Sequence, residues 1–529
     1  MRRMWGRKAL AASAVAFIAG FGLVVASATA RDSRPGATAA GKTLTVGLAE
    51  EPDALDPTLA RTFVGRMVFL SMCEKLYDIN RNLQIVPQLA AKLPKISKNG
   101  KTVTIRLRAG IKFNDGTPLN AQAVKISLDR GKTLARSARA SELTPVDSVT
   151  TSGSRTVVVH LSAPFAPLTS LLADRAGMVM SPTQLSKLGN GFASNPVCVG
   201  PFRFVSRTAG DRIVLKKSSF YYAKTKVKLA GIVYRIIDEP NTMAVNLRSH
   251  GIDVADRLAS TSLSSIRRDN SLRLIKATTL GYQGLTLNIG NKNGLRRPYQ
   301  NVGTPLAKHP SLRKALELAL DRKTINRVVF NNLNLPDCSP ISPVLKQWRD
   351  SSFRCPAHNL AAAKRLVRAS GEKTPIPLTL MLGTDSVAAK LGAVIQAEAG
   401  AAGFKVTLQP TEFTTSLNRA DAGNFDVFAV GFSGRVDPDG TVYGFVHTGG
   451  SLNDSGYSNK TVDRLMDGAR VSRSLKARQA AYDKAFKLVQ KDRPLIYLWH
   501  PINYTGANKN VSGVQVLGDG LIRVAFASK

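Results

Sequence analysis

"KTVTIRLRAGIKFNDGTPLNAQAVKISLDRG", residues 101–131, changes its hydrophobic period partway along, and that change decides the fold class. Val103, Ile105 and Leu107 alternate with polar residues, the period-two pattern of a strand with one buried face. "NDGTP" (114–118) is turn chemistry. Asn120 then stands where a helix N-cap is wanted, and Val124 and Leu128 follow four residues apart in a helix expected to open at Ala121. Strand-like and helix-like segments alternate along the rest of the chain, so the expectation is an α/β fold.

Toward the N-terminus, "GATAAGKT" (36–43) matches the phosphate-binding formula G-x-x-x-x-G-K-[ST] through Gly36, Gly41, Lys42 and Thr43. Such a loop needs a buried strand before it and a helix after it. Here "RDSRP" precedes it, and Leu44, Val46 and Leu48 alternate after it as a strand. Loop then strand is the wrong order, and residues 31–41 read as a linker. Residues 1–30 read as an export signal: a basic "MRRMWGRK", an 18-residue apolar run, and Ala28-Thr29-Ala30 as the cleavage site. An uncleaved anchor and the twin-arginine route, suggested by Arg2-Arg3, stay open.

Export implies oxidising surroundings for the four cysteines. Cys338 and Cys355 bracket a Pro-containing loop and are expected to pair; Cys73 and Cys198 are either a second, long-range bridge or buried thiols. The formal charge is +38, and about +34 without residues 1–30. The basic residues are spread along the chain with no zinc-finger spacing, RNA-binding aromatic signature or basic zipper, so nucleic acid is not expected as a partner. A solvated basic surface, drawn to anionic lipids or wall polymers, is the reading left by charge. Catalytic signatures such as H-E-x-x-H, G-x-S-x-G, C-x-x-C and G-x-G-x-x-G are lacking, and the six histidines have no metal spacing. No enzyme activity, cofactor or metal is therefore expected. Asp437 and Asp439 in "RVDPDG" read more simply as a turn than as an acid/base pair or cation site.

The run "LRAGIKFNDGTPLNAQAV" resembles "L-R-x-G-V-K-F-H-D-G-T-P … A-E-D-V" of the family 5 solute-binding proteins of bacterial ABC importers, the dipeptide and oligopeptide binders. The family's two acids are Gln122 and Ala123 here. The resemblance continues in order through "LTVGLAEEPDALDP" (44–57), "CEKLYD" (73–78), "VPQLAAKL" (86–93), "VGPFRF" (199–204), "RSHGIDVAD" (248–256), "SLRKALELALDRKTI" (311–325) and "YSNKTVDRLMDGA" (457–469). In "SLRKALELALDRKTI", Leu312, Ala315, Leu316, Ala319 and Leu320 make one face of an amphipathic helix, with Ser311 as its expected N-cap.

The resemblance implies a periplasmic-binding-protein type II fold: two lobes around a hinge cleft, with an inserted third domain. The first lobe is placed at 42–80, 196–281 and 500–529, the insert at 81–195 and the second lobe at 282–499. "TTLGYQGLTLNIG" (278–290) and "PLIYLWHPINY" (494–504) would cross between lobes. The implied partners are a membrane ABC permease and a small solute, peptide-like and by its charge anionic or hydroxyl-rich, bound by a monomer outside the cytoplasm. Two other functions stay open: a basic surface protein that holds a polyanion or another protein, and a secreted hydrolase.

The resemblance implies cleft residues at Phe63, Tyr282, Gln283, Phe432, Ser433, Arg435 and Asp437. In the peptide binders, "G-W-x-x-D" carries an acid that clamps the peptide's ammonium. Here Phe432 takes the aromatic place and Arg435 stands about where the acid would be. Either Arg435 turns the preference toward a carboxylate, phosphate or hydroxyl-rich ligand, or it faces solvent and Asp437 takes over the acid's role.

Overall fold

A computed structural model describes residues 41–295 and 298–529. The signal read at 1–30, linker residues 31–40 and Gly36 lie outside the described residues. Gly41 and Lys42 lead straight into the strand Thr43–Leu48, so strand follows loop at "GKT".

The segment at 101–131 folds as its period dictates. The strand Thr102–Arg106 buries Val103 and Ile105 and pairs antiparallel with Thr156–Leu161. Asn120 accepts a hydrogen bond from the Ala123 N–H at 2.9 Å and caps the helix Ala121–Thr133. Val124 and Leu128 pack with that strand pair in one core under a four-stranded sheet of order Lys95–Ile96, Thr102–Arg106, Thr156–Leu161, Val146–Ser152.

Two larger sheets organise the rest. One has seven strands, ordered Leu272–Thr278, Ile502–Asn508, Val254–Ala255, Thr43–Leu48, Gly231–Ile236, Arg212–Lys217, Phe202–Thr208. The other has six, ordered Leu335–Pro336, Leu495–His500, Tyr282–Leu287, Val427–Phe432, Ile376–Leu382, Phe404–Pro410. Leu44, Val46 and Leu48 are fully buried in the first body's core. Leu312, Ala315, Leu316, Ala319 and Leu320 sit in the core of the second. Their helix does not start as expected. It spans Pro310–Ala319, with His309 in the cap position and no side-chain cap bond. Pro310 already has the fixed φ of a first helical residue, and the N–H it lacks would have had no partner within the helix, so Ser311 falls inside the helix.

The chain passes from one sheet to the other twice, through Thr279–Gly281 and through Pro501. The crossings are tied together. The Thr279 N–H and Oγ1 both donate to the Pro501 carbonyl, at 3.1 and 2.9 Å. His500, fully buried, donates from Nδ1 to the Gly281 carbonyl at 2.7 Å. Its Nε2 lies 3.1 Å from Asp337, whose carboxylate also pairs with Arg349 at 2.6 Å. Cys73 is bonded to Cys198, and Cys338 to Cys355. The first bond ties the end of the helix Phe63–Met72 to the segment that enters Phe202–Thr208.

Candidate functional site

A cavity of about 720 Å³ lies between the two large sheets, beside the crossings. Its first wall is positioned by "EPDALDP". Asp53 accepts from the Arg61 and Thr62 N–H groups at 2.8 and 3.2 Å and from Thr62 Oγ1 at 2.9 Å. Thr62 in turn caps the helix Phe63–Met72. Asp56, fully buried, receives both terminal nitrogens of Arg130 at 3.0 and 2.7 Å and so fastens this loop to the helix Ala121–Thr133. Arg61 and Phe63 thereby reach the cavity from a rigid loop. The Arg257 guanidinium lies 5.3 Å from the centre of the Phe63 ring and pairs with Glu50 at 2.6 Å and Asp256 at 3.0 Å.

The opposite wall comes from the strands Tyr282–Leu287 and Val427–Phe432. Gln283, Phe432, Ser433 and Arg435 line the cavity. Phe432 packs edge-on against Phe445, centroids 4.8 Å apart, and lies 4.8 Å from the Arg435 guanidinium.

Tyr282 and Asp437 do not line the cavity. The Tyr282 ring lies under Phe445, edge-on to Tyr497 at 4.8 Å, in the core beneath the helices Pro438–Val446 and Leu475–Asp492. Strand alternation marks it as inward, but it does not reveal that a helix covers that side. Asp437 is the N-cap of Pro438–Val446, accepting from the Asp439 N–H at 3.0 Å, and it pairs with Arg478 at 2.7 Å. "RVDPDG" is therefore a helix start, not a turn: Asp at the cap and Pro at the first position carry that signal. Asp439 is held by Arg470 at 2.6 and 3.0 Å. Both carboxylates are engaged by arginines.

Arg435 neither reaches into the cavity as an open charge nor faces solvent. It is buried and paired with Asp174, which also receives Arg66 Nε at 3.0 Å. Burial alone would raise the Asp174 carboxyl, but Arg435, Arg66 and Arg175 outweigh it and hold it well below the usual range. Arg175 faces the cavity with no carboxylate within ion-pair distance among the described residues; it donates to the Ala60 and Thr62 carbonyls at 2.7 and 3.4 Å. Burial first, then Arg139, pulls its pKa well below the ordinary arginine value. Arg139 is answered by Glu142 at 2.6 Å. Asp174 is thus one carboxylate among three guanidinium groups, Arg435 from one side of the cleft and Arg66 and Arg175 from the other.

Contacts across the cleft hold the bodies in a closed arrangement. Arg61 meets Asp421 at 2.6 Å, Arg66 Nη1 donates to Ser433 Oγ at 3.0 Å, and Ser141 Oγ lies 2.8 Å from Ser451 Oγ. A further acid, Asp454, lines the cavity. Its Oδ1 is covered and has no hydrogen-bond partner among the described residues. Nothing in "SLNDSGYSN" distinguishes Asp454 from an ordinary turn residue. Arg175, Asp174 and Arg61 were also missed, because their partners lie in distant segments. The only grouping of His, Cys, Asp and Glu at metal-ligand spacing among the described residues is Asp337, Cys338 and Cys355, and both of its sulfurs are in the disulfide. No helix among the described residues is long and apolar enough to cross a membrane.

Two α/β bodies joined by paired crossings, with a largely apolar cavity that carries a few charged groups between them, define a hinged protein that closes around a small solute. The chain belongs to the bacterial extracellular solute-binding proteins, family 5, whose model ("family 5 Middle") matches residues 84–453. Protein XP55 of Streptomyces lividans is 27% identical, over 93% of this chain and 89% of its own. The glutathione-binding protein GsiB of Pectobacterium atrosepticum is 25% identical, over 91% and 93%. Among solved structures, the oligopeptide-binding protein AppA of Bacillus subtilis, in complex with a nonapeptide, superposes with a TM-score of 0.83 at 20% identity, over 92% of this chain and 99% of that one. The binding protein AgaA of A. tumefaciens R10, in complex with agropinic acid, gives 0.81 at 24%, over 92% and 96%. The fold is the periplasmic-binding-protein type II fold. Membership makes the chain an extracytoplasmic solute-binding protein that hands its ligand to an ABC transporter permease by hinge closure. The polyanion-holding alternative is not favoured.

Proposed function

We propose that the solute is short and peptide-like, with an anionic group that faces the cluster of Arg175, Arg435 and Arg139. The observation that carries this is the charge balance there: Arg435 is paired with Asp174 and Arg139 with Glu142, while Arg175 donates only to backbone carbonyls among the described residues, and an incoming carboxylate or phosphate would relieve the burial of that unmatched charge. A free amine is not excluded by Arg435, because Asp174 compensates that charge. The volume suits a small ligand, within the ~300–1,000 Å³ common for such sites. The names of relatives agree in chemistry: glutathione and agropinic acid both carry carboxylates.

In this reading the lobes are 42–80, 196–281 and 500–529 on one side and 282–499 on the other, with 81–195 inserted. Phe63, Gln283, Phe432 and Ser433 contact the solute. The Gln283 amide makes no hydrogen bond to the described protein and is free to meet a ligand's amide or carboxylate. The chain works as a monomer on the outer side of the cell membrane, exported by residues 1–30, and it carries out no turnover. The test is calorimetry with short peptides, organic acids and neutral sugars. Anionic peptides or acids should bind best, and Arg175→Gln should weaken them about ten- to hundredfold, the range of a charged hydrogen bond. Tightest binding by a neutral sugar, indifferent to Arg175→Gln, would overturn the reading.

A further inference from the structure

Asp454 sits in the loop between the helices Pro438–Val446 and Lys460–Val471. Its neighbours there are fully used. Asn453 Oδ1 accepts from the Tyr457 N–H at 3.0 Å and from Ser455 Oγ at 2.9 Å, and Asn453 Nδ2 donates to the His447 and Tyr457 carbonyls at 3.0 and 2.8 Å. These bonds pin the loop without any help from Asp454. The Asp454 carboxyl has no hydrogen bond or ion pair among the described residues, although Oδ1 is covered and the residue lines the cavity.

The charged and titratable groups around it come from three elements. Asp421 ends the helix Phe413–Asp421, Arg61 lies in the loop before Phe63–Met72, and Tyr282 belongs to the strand Tyr282–Leu287. Arg61, the one cation of the three, is engaged by Asp421 at 2.6 Å. Burial first, then the Asp421 charge, pushes the Asp454 carboxyl up to about 8, against the pull of Arg61. A covered carboxyl that makes no hydrogen bond or ion pair among the described residues, and whose near cation is already taken by another acid, is costly to ionise, and a ligand that supplies a cation removes that cost.

We infer that Asp454 is the cleft's receptor for a cationic group of the solute, an ammonium or guanidinium. The inference rests on the peptide-like reading above and adds to it a second pole: an anionic end at the arginine cluster and a cationic end at Asp454. It also gives a free-amine ligand an acid to bind, in a chain whose Arg435 stands where the peptide binders have theirs. With its carboxyl pushed up to about 8, Asp454 holds a proton at pH 6.5 before binding, so capture of a cation releases one.

The test compares wild type with Asp454→Asn, using random tripeptides with free amino termini, the same tripeptides N-acetylated, and a set of neutral sugars. Thermal shifts rank the probes. The strongest single peptide is then titrated by calorimetry at pH 6.5 in two buffers of different ionisation enthalpy. Free-amine peptides should stabilise wild type, acetylated ones should bind about tenfold or more weakly, and Asp454→Asn should erase that difference. Wild type should release close to one proton per peptide and Asp454→Asn none. With no probe added, the variant should melt at the same temperature or higher. A lower melting temperature would make the carboxyl a structural partner of the cleft and overturn the inference. Equal shifts from free and acetylated peptides, in both proteins, would overturn it while leaving the peptide-like reading intact. Shifts from neutral sugars alone would overturn both.

Discussion

Arg435 and Asp174 depend on each other and come from opposite sides of the cleft. Removing one member of a buried pair strands the other, at a cost of about 3–5 kcal/mol. Arg66 stays on Asp174, so Arg435→Ala should fall at or below the lower end of that range, read as a shift in urea midpoint. Glu74 gives a pH signature. It is buried, and it accepts from Tyr221 at 2.6 Å and Tyr222 at 3.0 Å. Burial lifts its carboxyl from 4.5 to about 7, against the two tyrosine hydrogen bonds. Between those values the folded protein holds a proton that the unfolded chain has released, so stability falls as pH rises through that window and is level above it. Glu74→Gln should therefore gain more melting temperature at pH 8 than at pH 5. A gain independent of pH would contradict this origin.

At the level of elements, the first crossing has almost no room. A Cβ on Gly281 would lie 2.4 Å from the Phe432 carbonyl oxygen, which is backbone and cannot rotate away. Gly281→Ala should cost about 1–3 kcal/mol by overpacking and weaken solute binding, because Gln283 and Phe432 both hang on that register. Denaturation and calorimetry on the same variant check both effects. Lys42→Ala, just before the strand Thr43–Leu48, should change neither binding nor stability, and a nucleotide signal abolished by it would refute the linker reading.

Local chemistry made the elements legible: Asn120 and the alternation of Val103 and Ile105 are short-range signals, and the structure follows them. Ser311 misled because Pro310, one residue earlier, already starts the helix. The site was legible only in part. Phe63, Gln283, Phe432 and Ser433 reach the cavity, whereas Tyr282 and Asp437 are claimed by a covering helix and by Arg478. Partnerships such as Arg435 with Asp174, and the lack of one at Asp454 among the described residues, arise from tertiary packing and leave no mark in a local window.

At the scale of the whole molecule, Arg61 and Asp421 join the two bodies across the cleft. Both are partly exposed, at 19% and 30%, so the pair contributes no more than about 1 kcal/mol. Arg61→Ala should shift the open–closed balance by no more than about fivefold. Small-angle scattering without solute should report a slightly larger radius, and saturating solute should restore the wild-type value. An unchanged radius would show that the pair does not govern closure.

The strand Ile502–Asn508 lies between Leu272–Thr278 and Val254–Ala255, so a segment more than 220 residues beyond the sheet's other strands completes the first sheet. A polypeptide made from its N-terminus cannot finish that sheet until residue 508 has emerged. Contacts this far apart in sequence close slowly. The wiring that makes a hinge thus also makes the first sheet wait for contacts that close late. A chain ended after Trp499 should remain sensitive to protease throughout its first body, while the full-length chain resists. Equal resistance of the two would show that the sheet does not depend on its last-arriving strand.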